Sequence, residues 1–340
     1  MEKTRRYWGG VYPTLGDRIP RVARRLEEEG RYGLFAGQSW GPPWIPLAAA
    51  AAATERVQLG TSIAIAAARS PVETAFAALD MDRISKGRFV LGLGSSTRWF
   101  TRSTFGVDVP RPVAHLRESV ALIRHVIGNA HRGLTPFEGE LFQVDFQGLD
   151  ATPPPVRVDL PIWLGALRGT MTRLAGEVAD GLIGHPLWGV DWWLGRIQED
   201  LAQGASRAGR DVGAVHRCVY LSVAPGEDER EAFADARRFV AAYAAIEQYA
   251  DFFAEQGFGD RAGRIRAAWA AGDREGAAAF VDEAMARAFV VYGEPDRVRE
   301  EVERAWRVAD SMLLAAPSWG LPLERIGHYT QQISRVFFER

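Results

Sequence analysis

Lysine is almost missing from this sequence. Of 41 basic residues in 340, only Lys3 and Lys86 are lysines. A Schiff-base aldolase needs a lysine amine inside its active-site mouth. Lys3 opens a first strand and Lys86 sits in the turn before a later one, so both fall at the wrong ends. Cysteine is scarcer still: Cys218 stands alone, which excludes an internal disulfide and fits a reducing, cytoplasmic setting. No apolar run reaches the roughly 18 residues of a membrane span, and "IPLAAAAAATE" is short and alanine-dominated. The opening "MEKTRRYWGGVY" has basic residues with no apolar stretch behind them, which argues against a secretory signal. An excess of one charge is missing too. The formal net charge is -2, so no electrostatic footprint for nucleic acid exists. These absences predict a soluble cytoplasmic protein with neither a membrane nor a nucleic-acid partner.

What is present is a rhythm. Ile19, Val22, Ala23 and Leu26 repeat at helical spacing and Gly30 follows as a stop. "YGLFAG" (32–37) then reads as a buried strand, "PLAAAAAATE" (46–55) as helix and "VQLGTSIAI" (57–65) as strand. Pro71 marks a helix start, "RFVLGLG" a fourth strand, and 111–128 the helix after it. "PIWLGA" (161–166), "TMTRLAGEVA" (170–179), "DGLIGHP" (180–186) and "VHRCVYLSVAP" (215–225) continue the alternation. A helix at 294–306, a strand at 309–317 and a last helix near 322–338 close it. With a first strand near Lys3 to Trp8, eight strand–helix units result. Continuous apolar strands in repeated units argue a parallel sheet buried on both faces, and eight of them argue an α/β fold, a closed (β/α)8 TIM barrel. The expectation is one domain over 1–340, with a hairpin excursion at 129–160 and a helical insertion at 227–290. Such insertions build a lid over the barrel mouth or a contact between copies of the chain.

In such a barrel chemistry gathers at the C-terminal strand ends. Those ends are rich in tryptophan, small residues and hydroxyls, and poor in carboxylates. A metal-dependent hydrolase needs clustered histidines and carboxylates; the six histidines are scattered, only His185 lies at a strand end, and no metal site is expected. A glycosidase needs two opposed carboxylates there. Cofactor chemistry survives these exclusions, with a flat aromatic ligand held by hydrogen-bonding edges. The stretch "GRFVLGLGSSTRWF" invites a dinucleotide reading. Its sixth position is Thr97 rather than glycine, and the next clear helix is expected only near Arg111, so that fingerprint fails. Two readings of Gly92 and Gly94 stay open: they let the strand bend, or they line a ligand. Arg98, Arg102 and Arg111 could each meet an anionic cofactor tail or be solvated.

Four segments in order, "RISKGRFVLGLGSS", "ATERVQLGTSIAIAAARSPVETA", "PIWLGALRGTMTRLAGEVADGLIGHP" and "FVVYGEPDRVREEVE", resemble the bacterial luciferase-like barrels. The likeness spans nearly the whole chain and is nearest to the coenzyme F420-dependent oxidoreductases. It implies bound F420, with FMN as the alternative. It also implies a non-prolyl cis bond at Ser62–Ile63 backing the ring, and a loop Gly94, Ser95, Ser96 and Thr97 along ring and ribityl chain. A phosphate loop follows at Ala166, Leu167, Arg168, Gly169 and Thr170. Well-known F420 dehydrogenases carry Asp-His where this chain has Gln38-Ser39, and a carboxylate where it has Thr97. Gln38, Ser39 and His185 are therefore the catalytic candidates, with no strong general base among them. Reduction of an activated C=C or C=N bond is expected over alcohol oxidation. Trp8, Trp40, Trp44, Trp99, Trp188 and Trp319 are expected to line a pocket for an apolar small-molecule substrate. The alternatives are an FMN-dependent monooxygenase and a non-catalytic flavin-binding barrel.

Overall fold

A computed structural model describes residues 5–38 and 41–339. The chain forms two compact units, residues 1–183 with 200–216 and residues 184–199 with 217–340. In chain order the strands are β1 (Tyr7–Gly10), β2 (Gly33–Ala36), β3 (Gln58–Thr61), β4 (Ala64–Ile65), β5 (Phe89–Gly94), β6 (Phe137–Glu138), β7 (Gln143–Val144), β8 (Ile162–Gly165), β9 (Gly181–Ile183), β10 (His216–Pro225), β11 (Val290–Gly293) and β12 (Ser311–Ala315).

The first unit pairs β1, β2, β3, β5, β8 and β9 in parallel and in that order, with β4 also on β5. One of the helices between the strands starts at a side-chain cap. Ser70 accepts the Val72 N–H ahead of Pro71–Ile84, which has proline in its first turn. The 129–160 excursion holds the antiparallel hairpin β6–β7. The Glu118 carboxylate fixes it by accepting the N–H groups of Glu140, Leu141 and Phe142. The first strand begins at Tyr7, and residues 3 and 4 of the one expected near Lys3 to Trp8 lie outside the described residues.

Two elements depart from expectation, the first through local capping. An eight-residue helix, Arg98–Phe105, opens directly after the glycine-rich turn, well before Arg111. Thr97 caps it, accepting the Phe100 N–H at 3.2 Å, and left-handed Gly106 ends it. The second departure lies in the second unit, where the 227–290 insertion ends in a strand. β10 pairs in parallel with β12 and with β11. "VVYG" at 290–293 was thus too short a run to stand out from the helices around it. Five α-helices, from Glu229–Ala244 to Glu283–Phe289, and one short 3-10 helix, Glu247–Tyr249, make up the insertion itself. Among the described residues no helix is long and apolar enough to cross a membrane.

The core of the first unit explains one tryptophan. Trp8 is 1% exposed and stacks on Phe35 at 3.8 Å, edge-on to Tyr32 and Trp163. A β-carbon at Gly33 would collide with its indole, and one at Gly60 would collide with Phe35. The strands use glycine there so that two large rings fill the interior.

The end of β3 is built by one hydroxyl. After Leu59 and Gly60 pair with Phe89 and Val90, Thr61 takes over the ladder with its side chain. Its Oγ1 donates to the Gly92 carbonyl at 2.6 Å and accepts the Gly92 N–H at 2.8 Å. The backbone is thereby released to swing out at Ser62 and Ile63 before β4 resumes pairing with Leu93 and Gly94. Gly92 has no room for a side chain, because a β-carbon would overlap the Thr61 carbonyl. Replacing Thr61 with valine keeps the shape and strands two buried polar groups. The variant should lose about 2–4 kcal/mol of stability, read as a lowered urea midpoint; an unchanged midpoint would contradict this account of the bulge.

Candidate active site

The bulge presents Ser62 and Ile63 at the C-terminal strand ends of the first unit, and the bond between them is cis. Both residues are partly exposed. The Ile63 side chain lies across two glycines. A β-carbon at Gly94 would come within 2.9 Å of Ile63 Cδ1, and one at Gly165 within 2.8 Å of its Cγ2. These glycines keep a flat floor with one isoleucine standing on it. Gly37 fits the same surface, where a β-carbon would meet the Ser62 carbonyl at 2.9 Å.

Gln38 braces the bulge from β2. Its backbone N–H donates to the Ile63 carbonyl at 3.1 Å, and its Oε1 accepts the Ile65 N–H at 3.0 Å and Arg69 Nη1 at 3.1 Å. The carbonyl end of this amide is occupied, which leaves Nε2 as its donor. Arg69 is held in turn by Glu73 and by the face of Trp44, 5.4 Å away. Trp44 also meets Phe89 edge-on. It therefore supports Arg69. Ser39 and Trp40 lie outside the described residues.

The turn Gly94–Thr97 is self-contained. Ser96 is left-handed at φ 58°, Ser95 Oγ donates to the Ser96 carbonyl, and the Thr97 hydroxyl is used as a helix cap. Arg98 pairs with Asp108 and Arg111 with Glu140, so neither is an isolated cation.

Ala166 to Thr170 leads into the helix Gly169–Val178, whose N-cap is the exposed Arg168. The Met171 and Thr172 N–H groups turn back to the Arg168 carbonyl. Those of Gly169 and Thr170 have no partner inside the helix, the usual condition of a first turn. Buried Asp200 pairs with Arg173 and packs on Gly169, where a β-carbon would sit 2.5 Å from its Oδ2. Arg168 and the two N–H groups can meet an anion, with the Asp200 charge offset by Arg173.

The second unit holds an aromatic cluster of its own. His185, two residues beyond β9, contacts Tyr243 at 5.9 Å and Tyr249 at 5.6 Å. Tyr243 also meets Phe239, Tyr249 and Trp319, the last at 4.8 Å. His185 Nδ1 accepts the Leu187 N–H at 3.2 Å, and its Nε2 lies 3.4 Å from the Tyr249 hydroxyl. Burial with no charged partner pulls the imidazole pKa down to about 3.

The sequence matches the luciferase-like monooxygenases over residues 8–311. The chain belongs to that family. A Mycobacterium tuberculosis protein provisionally named a coenzyme F420-dependent oxidoreductase is 29% identical over 320 residues, covering 89% of this chain and 90% of its own length. The F420-dependent tetrahydromethanopterin reductase structure from Methanopyrus kandleri superposes with a TM-score of 0.74 at 22% identity, over 96% of this chain and 98% of that one. The FMN complex of the 3,6-diketocamphane monooxygenase oxygenating component from Pseudomonas putida gives 0.61 at 17% identity, over 95% and 92%. The fold is accordingly the expected (β/α)8 TIM barrel.

This luciferase-like barrel places its tryptophans differently from the sequence expectation. Trp8 and Trp188 are 1% and 0% exposed and belong to the core; neither offers surface to a substrate. Trp188 packs edge-on against buried Trp193. Trp99 is 61% exposed on the Arg98–Phe105 helix, and only Trp319, 49% exposed, joins the aromatic cluster. Thr61, Arg69, Tyr243 and Tyr249 are the residues that sequence reading missed. Among the described residues no three His, Cys, Asp or Glu side chains could hold a metal.

His185 also sets a pH response. Its folded pKa of about 3 lies below the unfolded value near 6.5, so the unfolded chain binds the proton first. Its stabilising contribution is complete above pH 6.5 and is lost as pH falls toward 3. Between pH 7 and pH 5 wild type should lose about 2 kcal/mol more than His185→Gln, measured by urea unfolding of both at the two pH values. Equal losses would contradict a neutral, buried imidazole.

Proposed function

We propose that this chain is an F420-dependent reductase of a neutral, apolar organic substrate, acting on an activated C=C or C=N bond. The observation that carries this reading is the state of Gln38. Its carbonyl is committed to Ile65 and Arg69, so the residue standing at the second strand end cannot take a proton from a substrate alcohol. Thr97 is committed to its helix cap, and neutral His185 uses Nδ1 on a backbone N–H. Alcohol oxidation would need a base that none of these three supplies.

The described residues fit a flat tricyclic ring with an anionic tail. Ile63 would back the ring, and the Gly94 and Gly165 floor keeps β-carbons out of its way. Gln38 Nε2 would donate to a ring-edge acceptor. Gly94 to Thr97 would run beside the polyol chain, and Arg168 with the Gly169 and Thr170 N–H groups would hold the phosphate. When bound, a reduced deazaflavin supplies a hydride and, lacking the flavin N5, reacts poorly with oxygen.

The FMN-bound relative keeps one alternative, an oxygen-activating monooxygenase. Fluorescence titration of the apoprotein separates the two: F420 should bind and FMN should bind at least tenfold more weakly. Tight FMN binding without F420 binding would sink the F420 reading. Arg168→Ala should raise the F420 dissociation constant about tenfold, and an unchanged constant would remove Arg168 from the phosphate site.

A further inference from the structure

The alternation of side chains along β1 carries past its last residue. Trp8 fills the barrel interior against Phe35 and Trp163, whereas a β-carbon at Gly9 would meet Leu26 of the helix Ile19–Glu28. Gly10 therefore faces inward again. Tyr12 is extended, at φ -123° and ψ 147°, so its side chain follows on the same inward face. The phenol folds back over Gly10, where a β-carbon would lie 2.5 Å from the hydroxyl oxygen. Glycine at 10 is the seat of that ring. Gly10 is level with Phe35 and Phe35 with Gly60, so two residues farther along Tyr12, Gly37 and Ser62 share one row. The Val11 N–H to the Phe35 carbonyl and the Ser62 N–H to the Ala36 carbonyl carry the pairing toward that row. Two strand spacings, roughly 10 Å, separate Tyr12 from the Ser62–Ile63 bulge, and Gly37 puts no side chain between them. All of these residues belong to the first unit.

Tyr12 is 55% exposed, so solvent and small molecules reach it. Its hydroxyl has no hydrogen-bond partner among the described residues. The protein around the ring still raises the phenol above its ordinary pKa by desolvation, which marks a concave place rather than a convex surface. The other described side chains beside the bulge are poor acids: Gln38 is an amide, Ser62 an aliphatic hydroxyl, and Arg69 a guanidinium paired with Glu73. Thr97 and Ser95 spend their hydroxyls on their own turn and helix cap.

We propose that the Tyr12 hydroxyl is the proton donor to the substrate. This rests on the reductase reading above. A hydride, two electrons with one proton, arrives from the reduced coenzyme at one atom of the C=C or C=N bond. The electron pair left on the adjacent carbon or nitrogen takes the Tyr12 proton. The O–H bond breaks, a C–H or N–H bond forms, and water, which reaches the exposed ring, returns a proton to the phenolate. A phenol that stays protonated at neutral pH yields only to a strong base such as a carbanion, which ties the proton transfer to the arrival of the hydride.

Two measurements test the assignment. Tetranitromethane, a reagent for accessible phenols, should nitrate Tyr12 in the apoprotein, with mass spectrometry locating the modification. Saturating oxidised F420 should suppress that nitration, because a coenzyme lying on Ile63 covers the approach to the phenol. Equal nitration of Tyr12 with and without bound F420 would overturn the proposal without reference to turnover. With reduced F420 and a panel of cyclic enones and cyclic imines, Tyr12→Phe should lower kcat about 100-fold. Its F420 dissociation constant should match that of wild type, since the ring is kept. Turnover by Tyr12→Phe at more than about a third of the wild-type rate would overturn this proposal alone. Wild-type protein that binds F420 and reduces nothing in the panel would overturn the reductase reading and this proposal with it.

Discussion

The Thr61 hydroxyl inside the β3–β5 ladder is the contact on which the surface formed by Ser62 and Ile63 depends. A parallel ladder cannot release its backbone at mid-strand without leaving buried N–H and C=O groups unpaired. Thr61 solves this by serving both Gly92 groups with one side chain. Ser62 and Ile63 are then free of the ladder, Gln38 and Arg69 secure the far side, and Ile63 comes to rest on Gly94 and Gly165. Valine has the shape of threonine and neither of its polar functions, which makes this position chemical before it is steric.

The glycine-rich stretch "GLGSST" takes its meaning from the same contact. Gly92 makes room for the Thr61 carbonyl and Gly94 for Ile63. Of the two readings left open by the sequence, the packing supports the bend: both glycines make room for the chain where it leaves the ladder. Neither glycine needs an unusual backbone angle; the first left-handed residue after the strand is Ser96.

Much of the fold was legible because period and punctuation are local. The helical stripe before Gly30, the proline at 71 and the apolar run at 89–94 each became the expected element. The site was legible only in part. Which tryptophan fills a core and which faces solvent depends on glycines on neighbouring strands: Gly33 and Gly60 bury Trp8, and no spacing in "RYWGGVY" announces that. The helix Arg98–Phe105 hid because a single threonine cap starts it and it has only two turns. Tyr249 lies in an alanine-rich insertion whose pattern says helix and nothing more; its partner is 64 residues earlier in the chain.

The insertion that brings Tyr243 and Tyr249 to His185 is one continuous stretch of the second unit, whereas Thr61, Gln38, Gly94 and Gly165 all belong to the first. The bulge and the aromatic cluster are thus encoded in separate blocks of the gene. Recombination or insertion between 227 and 290 could exchange Tyr243 and Tyr249 for other side chains while every residue around Thr61 is inherited unchanged. A barrel of this design can vary its insertion without disturbing the strand ends that Thr61 organises.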